Sequence, residues 1–231
     1  MSLKIDAKPK KIIEWAIWGV LGILILIFLI RVAVWEDAYY REKEGSERDE
    51  AVIVMGPEDE EIIEVPPTEE EVVEYKVAPD RPRYLTVEKL GVYNARILPM
   101  SINSKGELNT PNNIFDVGWY EASSKPGEGG TMVIDGHNGG PHVHGVFKDL
   151  PSLGVGDIIQ VERGDGVKYR YRVVDNVTVP LVEADNYMSK AMRSPETGKE
   201  SITLISCTGE WSQTQKTYLS RQFTRAVLVT E

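Results

Sequence analysis

The sequence is poor in cysteine. It holds only Cys207 in 231 residues, which excludes an internal disulfide. Histidine is nearly as scarce: His137, His142 and His144 are the three, and they fall within eight residues of one another. Basic residues are outnumbered, with 26 Lys and Arg against 36 Asp and Glu for a formal charge of -10. No basic patch or aromatic-interleaved Lys/Arg cluster occurs, so nucleic acid is set aside as a partner. There are no internal repeats. What is present is ordinary for a globular chain: 42% apolar and 27% charged residues support one core, with room for appendages but not comfortably for a second domain.

The negative charge is not spread evenly. Residues 1–35 carry Lys4, Lys8, Lys10, Lys11 and Arg31 against Asp6 and Glu14, whereas residues 36–74 carry sixteen acidic residues against Arg41, Lys43 and Arg48. The remainder is close to neutral, so the acidity belongs to a linker. Between Trp15 and Ile30 no charged residue occurs, and apolar character resumes from Val32 to Trp35. Taken as a helix from Ile12 to Trp35, this run reaches roughly 36 Å, enough to cross a hydrocarbon core of about 30 Å. Trp15, Trp18 and Trp35 lie towards its ends, lysines precede it and acids follow. The expected organisation is a cytoplasmic N-terminus (1–11), one transmembrane anchor (12–35), an acidic extracellular linker (36–83) and a folded domain (84–231). No small-x-small cleavage site follows the run, which favours an uncleaved anchor over a signal peptide. A lone thiol outside the cell is then incidental, intermolecular or reactive.

The linker is acidic and punctuated by Pro66-Pro67, the composition of a solvated, self-repelling spacer. From Tyr84 the texture becomes short β-branched runs separated by turn residues. Strands are expected at Tyr84–Leu90, Asn94–Met100, Thr131–Asp135, Asp157–Val161, Val167–Val174, Ser201–Ser206 and Arg225–Thr230. Turns are expected at Asn103–Gly106 and at the hairpin signal Gly164-Asp165-Gly166. A short helix is expected at Tyr187–Arg193. Seven or so short strands with few helices imply an all-β barrel or sandwich.

Two stretches carry chemistry. In Thr203-Leu204-Ile205-Ser206-Cys207-Thr208-Gly209 an apolar strand ends in the cysteine and turns at once, which suits a nucleophile with freed backbone N–H groups beside it. A buried, inert thiol is the plainer reading of that stretch alone. In Val133-Ile134-Asp135-Gly136-His137-Asn138-Gly139-Gly140 a strand runs into a histidine and a glycine-rich loop, a position suited to a general acid/base. A metal site is the rival there, because His142 and His144 alternate as same-face residues and Asp135 and Asp149 are near in sequence. No further cysteine supports it, and neither metal nor cofactor is expected.

Thr203-Leu204-x-x-Cys207, with Gly136-His137 about 70 residues earlier and Arg225-Ala226-Val227-Leu228-Val229 about 18 residues later, resembles the sortase family. Val117-Gly118-Trp119-Tyr120, Pro126-Gly127-Glu128-x-Gly130, Val146-Phe147-x-x-Leu150 and Leu153-x-x-Gly156-Asp157 are similar to sortase words too. The resemblance covers residues 84–231, and the N-terminal anchor and spacer fit it.

The resemblance implies a closed eight-stranded β-barrel with short helices and a Cys–His–Arg site. By it, the Cys207 thiolate attacks the Thr–Gly bond of a Leu-Pro-any-Thr-Gly-like sorting signal, and an amine of a cell-wall precursor or pilin resolves the thioacyl intermediate. His137 exchanges protons with the leaving and incoming amines, and both it and the arginine favour the thiolate. Arg225 is preferred to Arg221 because it directly precedes the apolar strand. Ser206 stands where the family usually has Thr. Thr203 and Ser206, with Pro180, Leu181 and Val182 ahead of the cysteine strand, are the expected substrate-binding residues, although the last three are equally compatible with core. The alternatives are an inactive extracellular peptide-binding β-domain and a peptidase that passes the acyl group to water.

Overall fold

The computed structural model describes residues 62–103, 106 and 108–230. The expected anchor at 12–35 lies outside the described residues. Among these, no helix is long and apolar enough to cross a membrane.

Eight strands are present: β1 (Pro82–Val87), β2 (Val92–Met100), β3 (Val117–Tyr120), β4 (Thr131–Gly136), β5 (Ile158–Arg163), β6 (Lys168–Pro180), β7 (Ser201–Ser212) and β8 (Thr217–Leu228). They close in the order β1-β2-β3-β4-β7-β8-β6-β5, with β5 paired back to β1. The β2–β3 and β4–β7 pairs are parallel, and the others are antiparallel. Two helices are described, α1 (Glu69–Glu74) and α2 (Leu181–Ala191), with 3-10 turns at Glu88–Leu90 and Leu150–Ser152.

Alternation along each strand assigns two packing faces. Leu85, Ile97, Trp119, Met132, Ile134, Ile159, Tyr171, Ile202, Leu204 and Ala226 fill the barrel with Phe147. On the outside, Val133, Val179, Ile205 and Phe223 are covered by Ala184, Ala191, Tyr187 and Met188 of α2. Residues 201–206 are therefore buried without a break, because α2 covers the outer face that a barrel strand would otherwise show to water. The Tyr171 hydroxyl inside the barrel donates to Glu200 Oε1 at 2.7 Å. Glu200 also accepts the Gly127 and Gly129 N–H groups at 3.0 Å, which places the Pro126–Gly130 loop against the end of β7.

The hairpin at Gly164-Asp165-Gly166 forms as expected, with Arg163 N donating to Val167 O at 2.9 Å and Gly166 at φ +85°. The helix α2 begins six residues before its expected start and ends two before its expected end. Pro180 forms its N-cap with φ -55°, a value pre-set for helix entry, so β6 passes directly into it. The folded part also begins before Tyr84. Ile63 bridges Asn113, and Thr68 and Glu71 form a reciprocal capping box on α1. The Tyr75 hydroxyl donates to Ile97 O at 2.5 Å, with burial pushing its phenol up to about 12. The Tyr84 hydroxyl donates to Val72 O. Residues 62–83, expected to be part of the spacer, are bonded to the barrel.

Candidate active site

Cys207 projects from the outer face of β7, two residues beyond the buried Ile205, where α2 no longer covers the sheet. Its partner across the β7–β8 ladder is Arg221, which in turn faces Val179 of β6. On the other side β4 runs parallel to β7 with Asp135 beside Ile205, so two further residues along each strand bring His137 and Cys207 to the same level. Gly136 precedes His137 because a side chain there would collide with the Phe147 ring at 2.6 Å. Beyond the last β4–β7 pair, Asn138 Nδ2 donates to Cys207 O at 2.8 Å and ties the histidine loop to the cysteine strand.

A β-bulge sets the arginine. Between Thr208 and Trp211 the β7–β8 register shifts by one residue, with Gly209 at φ +85°. Nearer the turn Trp211 faces Tyr218, and that register continued inward would put Gln222 opposite Cys207. The extra residue presents Arg221 instead. The Arg221 guanidinium rests on its own hairpin, with Nη1 donating to Tyr218 O at 2.9 Å and Ser220 O at 3.1 Å and Nη2 to Thr217 Oγ1 at 3.3 Å.

Arg225, the arginine expected at the site, is placed elsewhere. It stands opposite Thr203, four residues from Arg221, or ~13 Å along an extended strand. It is 4% exposed and pairs with Asp175 Oδ2 at 3.2 Å. Its Nη2 donates to Lys190 O at 3.3 Å and Arg193 O at 3.0 Å, at the C-terminal end of α2. The correction has a physical cause: Arg225 is committed to closing a helix end on the barrel.

Residues 85–229 match the family model of the Sortase domain. The chain belongs to the sortase family. Solved structures similar to it include a pilus-related sortase C of Group B Streptococcus, 20% identical over 75% of this chain and 77% of that one, with a TM-score of 0.48. A Streptococcus pneumoniae sortase C is 22% identical over 73% and 78%, with a TM-score of 0.48. A Clostridium perfringens sortase D5 transpeptidase is 20% identical over 71% and 90%, with a TM-score of 0.44. No curated protein matches the chain.

The expected substrate-binding residues of this sortase divide into two groups. Thr203 is fully buried and donates to Ala191 O at 2.7 Å, and Ser206 is buried and donates to Gly136 O at 2.9 Å. Both hydroxyls are spent on holding α2 and β4 to β7, which removes them from peptide contact. Pro180, Leu181 and Val182 sit at the Cys207 end, because Pro180 pairs with Ser220 beside Arg221. Val182 is 88% exposed, too open to be core.

Sequence reasoning missed the loop that holds the histidine. His137 Nε2 lies 2.8 Å from Pro111 O. A carbonyl only accepts, so Nε2 carries the hydrogen and Nδ1 is left as the basic atom of the neutral ring. Thr110, one residue earlier, donates from Oγ1 to Asp135 Oδ2 at 2.5 Å. A hydroxyl-bearing residue followed by proline is too common a pair to have been a signal.

The electrostatics of the site run against a ready thiolate. Burial pushes the Cys207 thiol up; Arg221 pulls it down, and Asp135 adds to the rise. His142 and His144 are exposed on the loop after His137, where Glu64 Oε1 accepts the N–H groups of His142 at 2.7 Å and Val143 at 3.0 Å. Among the described residues no three His, Cys, Asp or Glu gather as metal ligands.

Proposed function

We propose that this sortase is an active cysteine transpeptidase, with Cys207 as nucleophile, His137 as general acid/base and Arg221 as the charged hydrogen-bond donor. The observation that carries the reading is the Arg221–Cys207 pair across β8 and β7, with His137 directly after β4 and its neighbour Asn138 bonded to Cys207 O. The substrate is a protein bearing a Leu-Pro-any-Thr-Gly-like sorting signal, and Pro180, Leu181 and Val182 offer an apolar approach to its Leu-Pro portion.

Burial raises the Cys207 thiol against the pull of Arg221, so attack is coupled to proton transfer. Sγ forms a bond to the carbonyl carbon of the scissile peptide while its proton passes to His137 Nδ1. Arg221, charged at any working pH, leaves its own carbonyls to stabilise the oxyanion or the substrate backbone. The tetrahedral intermediate collapses, the C–N bond breaks, and His137 returns the proton to the leaving amine. An incoming amine then attacks the thioester and gives its proton to His137, the C–S bond breaks, and His137 returns that proton to Cys207 Sγ. The amine belongs to a cell-wall precursor or pilin, and residues 12–35 hold the domain outside the membrane.

The raised Cys207 thiol and the occupied Arg221 guanidinium favour one rival, an extracellular peptide-binding domain without chemistry. Full-length protein and its Cys207→Ala variant, incubated with Pro-containing sorting peptides and an added amine, separate the readings. Cys207-dependent amide product is expected. Cleavage that survives Cys207→Ala, or binding without any cleavage in either protein, overturns the transpeptidase reading. Hydrolysis alone with every amine offered assigns a peptidase.

A further inference from the structure

Asp135 has no role in the reaction just described, yet it occupies the outer face of β4 beside Ile205, one alternation short of the His137–Cys207 level. It makes no ion pair among the described residues, and desolvating a carboxylate without one is unfavourable. What holds it is Thr110 Oγ1, donating to Oδ2 at 2.5 Å. The next residue, Pro111, accepts from His137 Nε2. One dipeptide thus clips both polar side chains of the histidine strand.

We propose, resting on the site assigned above, that Asp135 held by Thr110 is a positioning residue that presents negative charge to Cys207 and withholds the nucleophile in the empty site. The groups around it come from four directions. They are Cys207 on β7, Arg221 on β8, His137 on its own strand and Thr110 on the loop, while β3 contributes Gly118 opposite it. Burial pushes the Asp135 carboxyl up, and the Thr110 hydroxyl, His137, the Gly136 N–H and Arg221 pull it back towards the charged form. Charged, it raises the Cys207 thiol and opposes Arg221. The consequence is protective: the thiolate is the form that oxidants and alkylating agents attack, and an extracellular enzyme with one thiol has no second cysteine to spare it.

The test is the rate of Cys207 alkylation by iodoacetamide on the full-length protein from about pH 5 to about pH 10, a range that brackets an ordinary thiol. Asp135→Asn moves the midpoint to lower pH, and the rate near neutrality rises roughly threefold or more, since each unit is tenfold in thiolate fraction. Thr110→Val moves it the same way by less, because the carboxyl loses the donor that keeps it charged; Thr110→Ser restores the wild-type profile. An unchanged or upward-shifted midpoint in folded Asp135→Asn overturns the proposal. If that variant fails to fold, identical profiles for Thr110→Val and Thr110→Ser overturn it instead. Failure here leaves Cys207-dependent peptide cleavage intact, whereas failure of the transpeptidase reading removes that dependence and leaves the alkylation profiles measurable.

Discussion

Arg221 and Arg225 stand on the same strand, on the same face, four residues apart, and their surroundings have little in common. Arg225 lies under α2, nearly sealed from water, its guanidinium divided between a carboxylate and two helix-end carbonyls. Arg221 lies past the helix, half-buried, bonded to the carbonyls of its own hairpin and a threonine hydroxyl. One arginine is part of the wall, and the other is in reserve. The difference comes from the length of α2: where the helix covers the sheet a charge must be fully matched, and where it stops the charge can change partners. A guanidinium opposite the thiol, held by bonds that water can replace, is able to leave them for a substrate.

The contrast can be broken at several points. The largest effect is expected from Arg225→Ala, which removes the buried donor shared by Asp175 and the Lys190 and Arg193 carbonyls. About 3 kcal/mol of stability should be lost in denaturant unfolding. Arg221→Ala should invert that pattern: folding stability stays within about 1 kcal/mol, while kcat/KM for a sorting peptide falls roughly a hundredfold, the usual cost of removing an oxyanion donor. If the two variants behave alike in both assays, the division between wall and reserve is wrong. A smaller loss is expected from Asn138→Ala, which deletes the bond to Cys207 O; about 1 kcal/mol is expected by the same unfolding measurement.

The smallest effect concerns Glu64, which touches the histidine loop from the N-terminal side. Its carboxyl is held below the ordinary value of 4.5, first by the His142 N–H and then by that of Val143. A depressed folded-state value means that the contact stabilises the loop above the ordinary glutamate range and is lost as pH falls through the lowered one. The His142 and Val143 amide resonances should therefore titrate with a midpoint under 4.5, and Glu64→Gln should abolish that titration.

Much of the barrel was legible because its strands are patterned by burial. Thr131–Asp135 and Ser201–Ser206 carry aliphatic side chains on both faces, and Val167–Val174 alternates, so each declares itself. The start of β8 did not: residues 217–224 mix Thr, Ser, Arg and Gln with isolated apolar side chains. They are strand because β6 and β7 pair with them on both sides. The acidic composition of residues 62–83 concealed a Thr68–Glu71 capping box and two tyrosine bonds, Tyr75 to Ile97 O and Tyr84 to Val72 O, that fasten the segment to β2 and β1. The histidine was readable as a residue that follows a strand, whereas the cysteine stands within β7, which runs on to Ser212, and not at a strand end as its sequence suggested. Local sequence ranks Arg225 as the opener of an apolar run, whereas pairing across the hairpin decides which arginine stands opposite the cysteine.

That pairing depends on the bulge at Gly209. Side chains alternate with a period of two, so a ladder without the extra residue would bring Gln222 to the cysteine and turn Arg221 to the opposite surface of the sheet. The bulge works as a gear tooth between the turn and the barrel. Point substitutions in the hairpin tip leave its count unchanged, but a one-residue insertion or deletion between Thr208 and Thr217 re-indexes the pairing. A residue added to β7 alone would need a second bulge to keep an arginine facing the thiol, whereas one added to each strand would leave the pairing as it is.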